Sequence, residues 1–254
     1  MIASRATIPQ PSCSDCETCK LPSQDLFSGM SFEDFAQLGL LRRCRAYRKK
    51  DIVFREGDPA QRLYCVIRGW IKIWKMTPEG HLQIVRWAGP GDPLGYRSMA
   101  AGEAYRATAQ AATRAVVCLL ERPDLRRLLA SHPILARNVL TRLTQDLGTA
   151  EERLLQITHR PVRQRLAQLL IQLDSQQAEG FRISRMDMAH IIGTSPETLV
   201  RLLTELHEDG VLRRTRKGLE LLNRSELERL AGMEPDPGGL PRSRTNGKAL
   251  AAGH

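Results

Sequence analysis

Hydrophobic positions along the chain follow two periods, and the change between them marks its organisation. From about 45 to 122 apolar residues come in short runs cut by turn residues. Asp51-Ile52-Val53-Phe54 precedes Glu56-Gly57-Asp58-Pro59, and Leu63-Tyr64-Cys65-Val66-Ile67 precedes Arg68-Gly69. Trp70-Ile71-Lys72-Ile73-Trp74 precedes Pro78-Glu79-Gly80, and Gln83-Ile84-Val85-Arg86-Trp87 precedes Gly89-Pro90-Gly91-Asp92. Ala115-Val116-Val117-Cys118-Leu119-Leu120 closes the series. Short runs at a spacing of roughly ten residues predict an antiparallel barrel or sandwich.

Beyond Leu120 the period lengthens to that of helices. Pro123-Asp124 opens one helical stretch, and a long helix is expected after Pro133. On it Leu140, Leu143, Leu147, Ala150, Leu154 and Ile157 alternate steps of three and four. That is the seam of a two-stranded coiled coil. A helix packed on its own barrel is the alternative; the charges flanking this narrow stripe favour a dimer seam. The helix stops before Pro161, and another is expected over 162–174 through Leu166, Leu169, Leu170 and Leu173. Near the N-terminus, Ser31-Phe32-Glu33-Asp34-Phe35 reads as a capped helix start.

A helix-turn-helix follows, over about 186–208. Met186-Asp187-Met188-Ala189-His190-Ile191-Ile192 reads as a short helix and Gly193-Thr194-Ser195 as a tight turn. Ser195 can cap the next helix, Pro196 fits its first position, and Glu197 suits its positive dipole end. Leu199, Leu202, Leu203 and Leu206 then form a stripe to be buried, leaving Glu197, Val200, Arg201 and Thr204 on the other side. Docked N-terminus first into a DNA major groove, the helix would present Thr194, Ser195, Pro196, Glu197, Val200 and Arg201 to the duplex. Arg201 lies one turn beyond Glu197, so a salt bridge between them is expected. The segment from Val211 to Leu221 reads as a hairpin wing with Arg213, Arg214, Arg216 and Lys217 at its turn, placed to hold phosphates.

Composition bounds these readings. The 254 residues suffice for about two domains. Hydrophobic residues make up 42% and charged ones 26%, as in a soluble globular protein. No apolar run reaches the roughly 18 residues of a membrane span. The start Met1-Ile2-Ala3-Ser4-Arg5 leads into polar residues and prolines rather than a signal-peptide core, so a cytoplasmic protein is expected. The net charge of +10 suits a polyanionic partner. That charge is not concentrated in the helix-turn-helix region, because residues 156–224 hold 11 Lys/Arg against 8 Asp/Glu. No nucleophile elbow, phosphate loop, H-E-x-x-H or paired-carboxylate constellation occurs. His81, His132, His159, His190, His207 and His254 are scattered without metal spacing. An enzyme is therefore not expected.

The six cysteines are Cys13, Cys16, Cys19, Cys44, Cys65 and Cys118. A reducing cytoplasm argues against structural disulfides. Three of them crowd into seven residues of a segment rich in Pro and Ser. Cys65 alternates with Leu63 and Ile67 on one strand face, which reads as a buried core thiol.

Taken together, residues of about 13–232 resemble the CRP/FNR superfamily of bacterial regulators. The likeness lies in the β-run pattern, the long helix, the winged helix, and Glu197-Thr198-Leu199-Val200-Arg201, which looks like the family's E-T-x-x-R signature. The resemblance implies an α+β fold: an N-terminal antiparallel β-roll (a jelly-roll-like sensor), a long dimerisation helix and a C-terminal winged helix-turn-helix. The expected parts are a cysteine-rich arm over 1–30, the β-roll over 31–130, the dimerisation helix over 131–160 and the DNA-binding domain over 161–232. A tail over 233–254, rich in Pro, Gly, Ser and Arg, is expected to be disordered.

The FNR branch is the most similar: it carries a 4Fe–4S cluster on three arm cysteines and one at the end of the β-roll. It implies Cys13, Cys16, Cys19 and Cys118 as ligands, the last from its setting in Val116-Val117-Cys118. Four thiolates are what a cubane cluster requires, and zinc could use the same set. Cys44 and Cys65 match no ligand position. The arm departs from the branch in having only two residues before its third cysteine. Val200 stands where the branch often has Ser, and Ala150 where it tends to keep an acid. The resemblance further implies a homodimer on double-stranded, palindromic TTGAT-N4-ATCAA-like sites, with RNA polymerase as a partner. A regulator responding through thiol redox, heme or another small effector is the alternative. The cyclic-nucleotide branch holds phosphate with an Arg-Ser pair; here the turn is Gly91-Asp92-Pro93-Leu94-Gly95 and Arg106 lacks that Ser, so no cyclic nucleotide is expected.

Overall fold

The computed structural model describes residues 25–31, 33–34, 44–176, 183–215 and 218–233. Cys13, Cys16, Cys19, Arg216, Lys217 and the tail beyond Met233 lie outside them.

Eight strands build two four-stranded antiparallel sheets. They are β1 (Cys44–Tyr47), β2 (Ile52–Phe54), β3 (Arg62–Arg68), β4 (Ile71–Met76), β5 (Leu82–Ala88), β6 (Pro93–Leu94), β7 (Thr108–Ala111) and β8 (Ala115–Glu121). One sheet runs β1-β8-β3-β6 and the other β2-β7-β4-β5. Tyr64 on the first sheet stacks on Phe54 of the second, with ring centroids 5.4 Å apart. Alternation along β3 therefore turns Tyr64 and Val66 to the inter-sheet core and Leu63 and Cys65 to the opposite face. Cys65 is buried, as its strand position predicts.

The apolar runs locate five of these strands to within two residues at either end. They do not signal β1, β6, β7 or the one-and-a-half-turn helix α1 (Tyr96–Ala101). Thr108-Ala109-Gln110-Ala111 has little β-propensity of its own. It is a strand because it bridges β2 and β4, where its small alanines are fully covered.

Three helices follow: α2 (Arg122–Ser131), α3 (Pro133–His159) and α4 (Val162–Gln176). Residues 25–30, expected within the cysteine-rich arm, instead form a packed strap. A short 3-10 helix at Asp25–Phe27 buries Leu26 and Phe27 in the β-roll core, with Met30 behind them. The Asn138 amide on α3 donates to the carbonyls of Leu26 and Ser28, at 3.2 and 2.8 Å. Ser31 and Asp34 then exchange side-chain bonds to each other's backbone N–H, so the cap expected from Ser31 is here a reciprocal one.

A second core spans Leu166 to Ala231. It joins α4 to α5 (Arg185–Ile192), α6 (Pro196–Glu208), the hairpin β9 (Leu212–Thr215) and β10 (Gly218–Leu221), and α7 (Arg224–Leu230).

Candidate nucleic-acid interface

The helix-turn-helix is α5, its turn and α6. Ser184 caps α5 by accepting from the Asp187 N–H. Gly193 ends it at φ 65°, ψ 55°, a left-handed conformation that a β-carbon disfavours. Ser195 caps α6 by accepting from the Thr198 N–H at 3.2 Å, and Pro196 opens the helix. Leu199, Leu202, Leu203 and Leu206 are buried, as their spacing predicts. Val200 and the Arg201 side chain point outward, the latter 69% exposed. Ser195 and Glu197 are exposed as well, and Thr194 and Pro196 partly so.

The expected pairing of Glu197 with Arg201 is replaced by another. The Arg201 guanidinium reaches forward to Glu205 at 3.3 Å. Glu197 is held back by the helix end: its own backbone N–H and the Ser195 hydroxyl keep its carboxyl below the usual carboxylate range. Both groups thus stay free to leave for a base edge, since an exposed i,i+4 pair contributes only about 0.3–0.5 kcal/mol.

The wing also differs in detail. Arg213 and Arg214 sit on β9 rather than at the turn. Arg213 bonds Glu220 across the hairpin at 2.8 Å, and Arg214 donates to the Thr204 hydroxyl on α6 at 2.6 Å. The second contact ties wing to recognition helix, so Arg214 works partly as a brace. Behind the interface, α5 rests on the β4–β5 hairpin. Lys72 bonds Asp187 at 2.7 Å with both side chains largely covered, and the Gln83 amide donates to the Ile191 carbonyl at 3.2 Å.

The long helix α3 divides its faces. Leu135 is buried, and Val139 and Leu143 pack on the β-roll core. Leu143, expected in the seam, thus leans on its own domain. The exposed stripe is Leu140, Leu147, Ala150, Leu154 and Ile157, joined by Leu155, which the spacing did not include.

Below the stripe α3 carries a polar cluster that no sequence motif announces. Arg142 bonds both Asp92 and Asp146 at 3.2 Å, and the Tyr96 hydroxyl bonds Asp146. Burial raises the Asp92 carboxyl, against the opposing Gly89 N–H and Arg86. Burial and then the Asp146 bond raise the Tyr96 phenol. These groups lie about 50 residues apart in sequence, so only the fold joins them.

Cys118 lies partly exposed on β8. Among the described residues no three His, Cys, Asp or Glu side chains gather in metal-holding geometry, and no helix is long and apolar enough to cross a membrane.

Comparison with known proteins matches residues 44–132 to the cyclic nucleotide-binding domain family and 164–230 to the Crp-like helix-turn-helix domain family. The transcriptional activator protein Anr of Pseudomonas aeruginosa is 27% identical over 89% of this chain and 94% of its own length. The fumarate and nitrate reduction regulatory protein of Vibrio cholerae is 25% identical over 88% of this chain and 92% of its own. The structure of FixK2 from Bradyrhizobium japonicum superposes with a TM-score of 0.66 at 28% identity, covering 74% of this chain and 96% of that one.

Proposed function

We propose that this chain, which belongs to the CRP/FNR superfamily of transcription regulators, is a cytoplasmic, oxygen-responsive factor that binds palindromic DNA as a homodimer. The observation that carries the DNA reading is α6: a capped, proline-opened helix with its leucines buried and Glu197, Val200 and Arg201 outward. Arg can bond a guanine bidentately, a carboxylate can accept from cytosine N4, and an apolar group can touch a thymine methyl. Two copies related by a two-fold axis read two half-sites, which suits a site of the TTGAT-N4-ATCAA kind. Arg216 and Lys217, with Arg213 once it leaves Glu220, hold phosphates. RNA polymerase is the protein partner of the assembled complex.

Arg201→Ala is expected to cost about 1–3 kcal/mol at one base pair and to relax discrimination there. Arg216→Ala should weaken all sequences alike and lower the salt slope by about one. Binding titrations against a set of single-substituted sites separate the two. Unchanged base preference in Arg201→Ala would overturn the assignment.

The sensing group of this reading is a 4Fe–4S cluster on Cys13, Cys16, Cys19 and Cys118. Four thiols are the donor set that such a cluster needs, and when bound it supplies an oxygen-labile redox centre. The strap supports the reach: Cys19 precedes Asp25 by six residues, a chain length that spans at most about 20 Å, and the strap is buried in the core that Cys118 packs against. Serine at any one of the four should strip most iron and sulfide from protein purified without oxygen. Cys118→Ser retaining its full iron would overturn the fourth ligand.

No cyclic nucleotide is expected: the stretch Tyr105-Arg106-Ala107-Thr108 lacks the Ser of the phosphate-holding Arg-Ser pair, and Arg142 is already shared between Asp92 and Asp146.

A further inference from the structure

Cys118 has a cysteine directly opposite it on each neighbouring strand. Cys44 faces it from β1, and Cys65 faces it from β3. Residues in direct register share a face, so three thiols form one row across the sheet, on the side away from the inter-sheet core. None of the three is in a disulfide. The row grades from Cys65, which is buried, to Cys118 and Cys44, which are partly exposed, with Cys44 on the edge strand.

The two pairs in this row are not equivalent. In an antiparallel sheet a residue's N–H and C=O point to the same neighbour, so a central residue is hydrogen-bonded on one side only. The Val66 N–H donates to Asp92 O and its C=O accepts from Gly91 N–H, so Val66 bonds toward β6. Cys65, one residue earlier, must bond toward β8. The Arg122 N–H donates to Gln61 O, and Arg122 lies four residues beyond Cys118 along an unbroken register. Cys118 therefore bonds toward β3 as well. Cys65–Cys118 is the wide, hydrogen-bonded pair, and Cys44–Cys118 is the narrow one. Both spacings, about 4.5 Å for the narrow pair and about 5.5 Å for the wide one, lie inside the roughly 4.4–6.8 Å between Cα atoms that a disulfide bridges. The narrow pair is favoured because its side chains are closest, nearer the roughly 3.5–4.5 Å between β-carbons that the bond takes.

We propose that Cys44 and Cys118 form a peroxide-oxidisable pair, a modification site that requires no cluster. Hydrogen peroxide oxidises one thiol of the pair: the O–O bond breaks, a sulfur–oxygen bond forms, and one water leaves a sulfenic acid behind. The other sulfur displaces the sulfenic oxygen, which departs as a second water with the remaining thiol proton. Two thiols and one peroxide thus give one disulfide and two waters. Cys65 stays reduced because it is buried and sits across the wide pair. The bond needs no cluster. Its consequence does rest on the cluster reading: a Cys118 sulfur held by Cys44 cannot also bind iron, so peroxide would lock the regulator in its iron-free form until a dithiol released it.

The test uses the full chain, stripped of iron by a chelator and reduced. One equivalent of hydrogen peroxide is added, remaining thiols are alkylated, and disulfide-linked peptides are mapped by mass spectrometry. The Cys44–Cys118 link should dominate and should vanish on dithiothreitol treatment. In Cys44→Ser the link should be lost, and a sulfenic-acid probe such as dimedone should label Cys118 at least tenfold more than in the native chain. Cys118 found linked to Cys65 or to an arm cysteine, or still alkylated as a free thiol, would overturn the proposal. No iron enters this assay, so its failure is separate from failure of the cluster reading, which is decided by the iron content of Cys118→Ser.

Discussion

The molecule carries two leucine stripes of almost the same spacing and opposite fate. On α6, Leu199, Leu203 and Leu206 are wholly buried. On α3, Leu140, Leu147, Leu154 and Ile157 are 54–66% exposed. Periodicity predicts a helix in both cases, and burial tells them apart. The α6 stripe is consumed inside the chain by α4, α5 and α7. The α3 stripe has the α3 backbone behind it and solvent in front, so its burial must come from another surface. These side chains keep somewhat over half of their surface in water, so covering each contributes about 1–2 kcal/mol, which makes a second copy of the same helix the stripe's natural cover.

The sharpest way to break this comparison is to charge the α3 stripe. Leu147→Asp puts two carboxylates where two leucines would meet, and the lost burial alone amounts to about 2–4 kcal/mol per dimer. Association measured by sedimentation should weaken more than tenfold, while the melting of the isolated protomer hardly changes. Loss of folding with the same variant would mean that the stripe is an internal core after all.

The converse variant acts on the other stripe. Leu203→Ala leaves a cavity in the second core and should cost about 2–5 kcal/mol of stability in that domain. Chemical denaturation followed by a probe on the helix-turn-helix should show its midpoint fall, with dimerisation through α3 kept. Equal loss of dimer and domain stability would show that the two stripes do not act independently.

The two regions were also unequally legible. The helix-turn-helix is written in local signals: a glycine at positive φ, a serine cap, a proline at the first position and leucines at helical spacing. Each of these acts within a turn or two of chain, and each is where the sequence puts it. Spacing alone does not decide the partner of Arg201, because Glu197 and Glu205 both lie one turn away and only the helix cap, which holds Glu197 back, selects Glu205. The β-roll hides more. The strap is invisible because Leu26, Phe27 and Met30 show no period; their partners are on α3 and the sheets. The Asp92–Arg142–Asp146–Tyr96 cluster and the cysteine row depend on strand order and register. Cys44, Cys65 and Cys118 are spread over 75 residues, and only the β1-β8-β3 order brings them into line.

The smallest expected effect concerns Ala150, and it sharpens what the exposed stripe is for. Ala150 is exposed on α3 between Leu147 and Leu154, and Glu151 is exposed beside it. Successive helical residues are about 100° apart, so Glu151 can stay in water when Ala150 faces its twin. A methyl group there opposes nothing, whereas a carboxylate would meet a like charge. Dimerisation of this chain should therefore not wait for its sensing group, and oxygen would act on the placement of the DNA-binding domains rather than on assembly. The apo and cluster-loaded forms should both sediment as dimers at micromolar concentration. Ala150→Asp should weaken the apo dimer by about 0.2–1 kcal/mol, the range of a single solvent-exposed charge interaction, and the loss should shrink as salt is added. A native apo form that sediments as a monomer would place the switch in assembly, and would show that the stripe on α3 is too weak to close without help.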